Sequence, residues 1–85
     1  MNYFTYILRS LKDNSYYIGS TDNLNKRVAQ HNQGSVRSTK GRLPWELIYT
    51  EEFNTRGEAF IREKYIKSRK KRKYIEQLIN KKDKQ

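Results

Sequence analysis

Tyr16-Tyr17-Ile18-Gly19, followed by Arg27 and His31 at an Arg-x-x-x-His spacing, concentrates reactive side chains in a short stretch. A phenol or an imidazole can exchange a proton with water, and a guanidinium supplies a fixed positive charge shaped for phosphate oxygens. A later carboxylate, Glu63, adds a group able to hold a divalent ion. Together these types suit hydrolysis of a phosphodiester at a one-metal site.

The spacing of the candidates sharpens this. On a helical wheel with Leu24 at zero, Val28 falls near about 40°, His31 near about −20° and Arg27 near about −60°. Arg27 and His31 therefore stand one turn apart beside the apolar stripe, while Lys26 and Gln30 lie on the solvent side. Inward-facing polar groups need a partner or a cleft. The plainer alternative for His31 is a cationic cap at the helix C-terminus. In the helix starting near residue 56, Ala59, Phe60, Glu63 and Ile66 fall within about 120° of one another. Glu63 is thus a carboxylate on the buried stripe, to be paired, protonated or bound to metal, and a salt bridge to a nearby cation is the plain alternative. Glu58 belongs to a capping box, and Glu51 and Glu52 read as solvated or strand-edge charges. Tyr6 and Tyr17 fall on neighbouring strands; most tyrosines in so small a core are packing residues, but converging hydroxyls would offer a base toward water. Gly19 leaves room for close approach of a backbone or a phosphate.

The elements that must position these groups follow from patterning. Residues 2–9 are aromatic and β-branched, giving a strand with Phe4, Tyr6 and Leu8 on one face and Tyr3, Thr5 and Ile7 on the other. Lys12-Asp13-Asn14-Ser15 is a turn, and Tyr16–Ser20 completes an antiparallel hairpin. Thr21-Asp22-Asn23 offers capping oxygens for a helix over residues 23–32, with Gly34 just past its end. Residues 34–44 form a polar loop carrying Arg37, Lys40 and Arg42 and no acid. Trp45–Phe53 alternates as a third strand, placing Trp45, Leu47, Tyr49 and Phe53 on one side. Thr55 and Glu58 start a helix running from residue 56 to about Ser68, a second basic helix spans residues 70–81, and the tail 81–85 frays.

Composition bounds the class. Eighty-five residues allow one domain, residues 1–85, with stability of about 5 kcal/mol. With no cysteine and one histidine, disulfides, thiolate metal sites and His-ligated zinc are excluded. The net charge of +10 favours a polyanion, with nucleic acid ahead of an acidic membrane surface because no long amphipathic helix joins large apolar residues to the basic ones. Residues 62–73 hold eight cations, and with the loop they outline a groove for nucleic acid formed by Arg37, Lys40, Arg42, Lys67, Arg69, Lys70 and Lys71. Neither a membrane span nor a signal-peptide core is visible, so a cytoplasmic protein is expected.

At this point the residues resemble the GIY-YIG nucleases. Phe4-Thr5-Tyr6 stands for the first motif, and Tyr17-Ile18-Gly19 matches the second. The run from Tyr17 to His31 is similar to the segment carrying the family's arginine and histidine. Pro44–Tyr49 and Glu58–Lys67 are similar to the third strand and the metal-carboxylate helix, so the resemblance covers residues 2–80. It is closest to small single-domain bacterial members and to the N-terminal domain of the excinuclease C subunit. Ser20 stands where that branch has a lysine, and Asn80 lies too far along to match the asparagine of other branches. The resemblance implies an α+β fold, a three-stranded antiparallel sheet flanked by helices, and a metal-dependent DNA endonuclease, structure-selective in repair or recombination. It implies one divalent ion, Mg2+ or Mn2+, on Glu63. Tyr6 or Tyr17 would activate the water, Arg27 would stabilise the scissile phosphate, and His31 would assist proton transfer or orient a tyrosine. A nucleic-acid-binding module that cleaves poorly or not at all is the alternative on the same scaffold.

Overall fold

A computed structural model describes residues 2–69 and 71–83, so Lys70 and the tail residues 84–85 lie outside it. Three strands, β1 (Tyr3–Ser10), β2 (Tyr16–Thr21) and β3 (Trp45–Phe53), form one antiparallel sheet in the order β2-β1-β3. The helices are α1 (Leu24–Asn32), α2 (Arg56–Arg69) and α3 (Arg72–Asp83), with a 3₁₀ turn at Lys40–Arg42. The expected α+β fold is therefore present. The helix α3 continues through residues 81–83, part of the stretch expected to fray.

β1 is buried on both faces because it is the central strand, and alternation sends its side chains into two separate cores. Tyr6 and Leu8 pack with Trp45 under Leu24, Val28 and Leu43, on the side covered by α1. Ile7 packs with Tyr49, Ile66 and Ile75 on the side covered by α2 and α3. The pairing of β1 with β3 slips by one residue between Ile7 and Leu8, so Tyr49 opposes Ile7 but Leu47 opposes Leu8. That bulge reverses the phase of β3. Trp45 consequently lies in the α1-side core and Tyr49 in the other, rather than on one common side. Leu47 is exposed.

Capping fixes the helix starts. The Asn23 side chain accepts the Lys26 amide at 3.1 Å. Thr55 accepts the Glu58 amide at 3.2 Å, while the Glu58 carboxylate takes the Thr55 hydroxyl proton at 3.0 Å, a variant of the expected capping box. Gly34, at φ +77°, closes α1 in the left-handed conformation that glycine adopts without cost. The Asn32 side chain then pairs with both backbone groups of Trp45, at 2.6 and 3.0 Å, docking the end of α1 onto the start of β3. The Thr5 hydroxyl donates to the Ala59 carbonyl at 2.7 Å, a fully buried bond that ties β1 to α2.

The buried stripe of α2 is narrower than the wheel suggests. Ala59 and Ile66 are buried and Arg62 and Glu63 flank them, but Phe60 is half exposed, with the Lys64 ammonium over its ring. Only one side of α2 meets the sheet, so a residue about 100° from Ala59 lies outside the contact. Glu51 lies on the edge strand β3, one of the two expected settings, and is not a solvated charge. It receives a two-pronged Arg62 guanidinium at 2.8 and 3.0 Å and the Tyr49 hydroxyl.

Candidate active site

Gly19 sets the geometry. Its position on β2 opposes Tyr6 on β1, and a Cβ there would lie 2.5 Å from the Tyr6 hydroxyl oxygen and 3.1 Å from the Tyr17 ring. The room expected for a backbone or phosphate is already filled by the Tyr6 phenol. Tyr6, 1% exposed, sends its hydroxyl across the bare strand to His31 Nε2 at 3.0 Å.

His31 is fully buried and does not act as a cationic helix cap. Its Nδ1 lies 2.8 Å from the Thr39 hydroxyl, which itself reaches the Val36 carbonyl at 3.3 Å. With the Thr39 proton directed to that carbonyl, donor accounting puts the imidazole proton on Nδ1. Nε2 then accepts the Tyr6 proton. Burial, reinforced by the Arg27 charge, lowers the His31 pKa from 6.5 to about 4, so the ring is neutral at physiological pH. Thr39 had no sequence signal, because nothing in a polar Ser-Thr-Lys loop marks which hydroxyl folds back. The chain reversal at Gly34 brings it there, and the Trp45 indole holds its carbonyl at 3.0 Å.

Tyr17 packs against the same imidazole, with ring centroids 4.9 Å apart, and lies 6.4 Å from the Tyr6 ring. Burial pushes the Tyr6 hydroxyl up to about 12, against an opposing pull from Arg27. Arg27 is held charged by the phenols, Tyr6 most strongly, and its Nη1 donates to Gln30 at 3.1 Å. Tyr6, Tyr17, Arg27 and His31 thus form one cluster on the α1 side.

Glu63 approaches from the other side of the sheet, around the edge strand β2. Its Oε1 accepts the Ser20 hydroxyl at 2.7 Å, and its Oε2 accepts the Lys67 ammonium at 2.6 Å. The plain alternative of an ion pair is therefore realised. The carboxylate is only 12% exposed, whereas the lysine is 48% exposed and its ammonium also lies 5.9 Å from the Tyr17 ring centroid. Among the described residues, no three His, Cys, Asp or Glu side chains cluster as a ready metal cage. The donor set fits an ion held by one protein carboxylate, and the Lys67 ammonium marks where a cation sits on it.

Of the expected nucleic-acid contacts, Arg37, Lys40, Lys67, Arg69 and Lys71 are exposed. Lys70 lies outside the described residues. Arg42 is engaged internally, donating to Ser15 and Ser38 at 3.0 and 3.2 Å and covering the Trp45 ring at 5.1 Å. Arg69 stacks over Tyr65 and Tyr74. No helix among the described residues is long and apolar enough to cross a membrane.

Comparison with known proteins gives the family and agrees with the fold. The chain is 45% identical over 86 residues to the UPF0213 protein YazA of Bacillus subtilis, covering 96% of this chain and 86% of that one. It is 50% identical over 68 residues to a UPF0213 protein of Clostridium perfringens, covering 79% and 71% respectively. The solution NMR structure of a UPF0213 protein from Bacillus halodurans matches at a TM-score of 0.57 and 36% identity, over 94% of this chain and 84% of that one. The family model described as the GIY-YIG catalytic domain matches residues 2–76, and the chain belongs to the GIY-YIG family.

Proposed function

We propose that this protein is a metal-dependent endonuclease that hydrolyses phosphodiester bonds in DNA. The observation that carries the reading is the Tyr6–His31 bond at 3.0 Å, which gives a buried phenol a neutral acceptor for its proton. A phenol held protonated at neutral pH is a poor base alone. It becomes competent if its own proton moves to His31 Nε2 as it takes one from water. Arg27 offers a fixed charge to the phosphate oxygens, and Tyr17 walls the imidazole from solvent. Glu63 would hold Mg2+ or Mn2+ once Lys67 swings into solvent, and Ser20 fixes the orientation of the carboxylate. When bound, the ion would neutralise charge on the phosphate and the leaving oxygen. A net charge of +10 supports a nucleic-acid substrate. We extend the proposal to structure-selective cleavage in repair or recombination and to a cytoplasmic location, on the resemblance to the excinuclease domain.

One observation favours the second reading, a binding module without turnover: Lys67 already neutralises Glu63. Glu63→Gln separates the two. Under the hydrolytic reading the variant loses magnesium-dependent cleavage of branched and linear DNA and binds DNA as well or better, since a negative charge leaves the groove. Equal nicking by wild type and variant would refute the assignment of Glu63.

A further inference from the structure

A groove of about 290 Å³ opens beside Arg27, lined by Ser20, Thr21, Asp22, Lys26, Arg27 and Arg56 among others. It runs from the candidate active site to the start of both α1 and α2. Three of its side chains are cations and one, Asp22, is an anion. None of these cations lies in the loop at 34–44 or the lysine-arginine run, where sequence composition places nucleic acid.

We infer that this groove is a second phosphate-binding site, in which Lys26 and Arg56 grip the nucleic-acid backbone next to the phosphate held by Arg27. The inference deepens the hydrolytic reading and rests on it for that adjacency. Arg27 connects the two sites physically, since it lies beside the Tyr6 hydroxyl and also lines the groove. Arg56 is poised and weakly committed. It lies over the Tyr3 ring at 5.1 Å and meets Asp22 at 3.3 Å, with the two side chains 68% and 51% exposed. An ion pair so exposed contributes little and is readily exchanged for a phosphate. Lys26 is exposed and makes no side-chain ion pair among the described residues. Asp22 subtracts from the site, leaving Arg56 half neutralised until a phosphate displaces the carboxylate.

The test measures binding, not cleavage, so it stands whether or not the protein turns over. Affinity for a fluorescent duplex of about 20 base pairs is titrated against salt in EDTA, for wild type, Lys26→Gln/Arg56→Gln, Asp22→Asn and the charge-matched control Lys12→Gln/Lys81→Gln, two exposed lysines outside both the groove and the run at 62–73. Loss of two phosphate contacts flattens the slope of log K against log salt by about 1.8, and the control leaves it within a few tenths. Asp22→Asn, which frees Arg56, tightens binding severalfold. Circular dichroism melts confirm that the variants are folded. Equal slopes for the groove and control doubles, or no gain with Asp22→Asn, overturn the groove. Wild type that fails to cleave while the slopes differ as expected overturns the hydrolytic reading and leaves the groove standing as a phosphate site.

Discussion

Replacing Gly19 by alanine adds one methyl group, and the structure sets what that methyl must displace. The new Cβ would lie 2.5 Å from the Tyr6 hydroxyl oxygen and 2.6 Å from Tyr6 Cζ, so the phenol must retreat by about 1 Å to reach ordinary contact. A ring that is 1% exposed and wedged between β2 and His31 has nowhere to go without repacking. Overpacking costs about 1–3 kcal/mol, and stretching the buried Tyr6–His31 bond adds about 1–3 kcal/mol. Removing a strand glycine returns about 0.5–1 kcal/mol. The net loss is about 1–5 kcal/mol, a large share of the roughly 5 kcal/mol expected for a domain this small. Gly57→Ala is the internal control, since nothing beyond its chain neighbours and its own helical backbone lies within 4 Å of its Cβ and it sits in the first turn of α2. That variant gains a few tenths to about 1 kcal/mol. Urea melts followed by circular dichroism decide the matter. Gly19→Ala as stable as wild type, or Gly57→Ala falling equally, would refute the claim that bare β2 backbone exists to seat the Tyr6 phenol. In the folded fraction, kcat should drop by about 10²-fold or more if the Tyr6–His31 pair moves the proton.

Three other outcomes follow from the same geometry. Lys67→Met removes the cation that pairs with Glu63 at 2.6 Å, so the magnesium concentration for half-maximal cleavage should fall; a rise would mean that Lys67 itself serves the phosphate. His31 is neutral when folded, with its pKa lowered from 6.5 to about 4, so the unfolded chain binds more protons between those values and stability rises with pH across them. Moving from pH 7 to pH 5 should cost about 2 kcal/mol through this group, and His31→Leu should remove that share of the pH dependence in urea midpoints. Thr5→Val deletes the buried bond to the Ala59 carbonyl and should cost about 1–3 kcal/mol, with Thr5→Ser recovering most of it; an unchanged midpoint for the valine variant would show that α2 is held by packing alone.

The parts of this molecule that were legible in sequence are those governed by local rules. Asn23, the Thr55–Glu58 pair and Gly34 mark helix ends by their own chemistry, and the structure puts them at those ends. Alternation along β1 divided Tyr6 and Leu8 from Ile7 correctly, because a central strand without interruption keeps its phase. Alternation along β3 failed at the bulge, which is a property of pairing and leaves no mark in Trp45–Phe53 itself. Arg27 and His31 were visible on the wheel as inward-facing polar groups. The Thr39 partner of His31 and the Ser20 partner of Glu63 were not, since both bonds form through tertiary packing that no periodicity encodes. Glu51 was legible as a strand-edge charge but its partner was not, because only the packing of α2 on β3 brings Arg62 to it.

The sheet order explains how a site with members in two separate cores can exist at all. Tyr6 and Tyr17 point to the α1 side, while Ser20, opposite Thr5, points to the α2 side, as neighbouring residues on a pleated strand must. On a central strand those faces would be sealed from each other. Because β2 is the edge strand, its outer margin is open, and Glu63 on α2 can reach Ser20 while Lys67, one turn on, reaches the ring of Tyr17. The carboxylate therefore approaches the tyrosine cluster at the rim of the sheet, through Ser20 and Lys67. An insertion of one residue in β2 would test this directly, since it moves Ser20 to the α1 side and should uncouple Glu63 from the tyrosine cluster without removing any side chain. If such a variant folds and still cleaves with wild-type magnesium dependence, the edge strand does not hold the two halves of the site together.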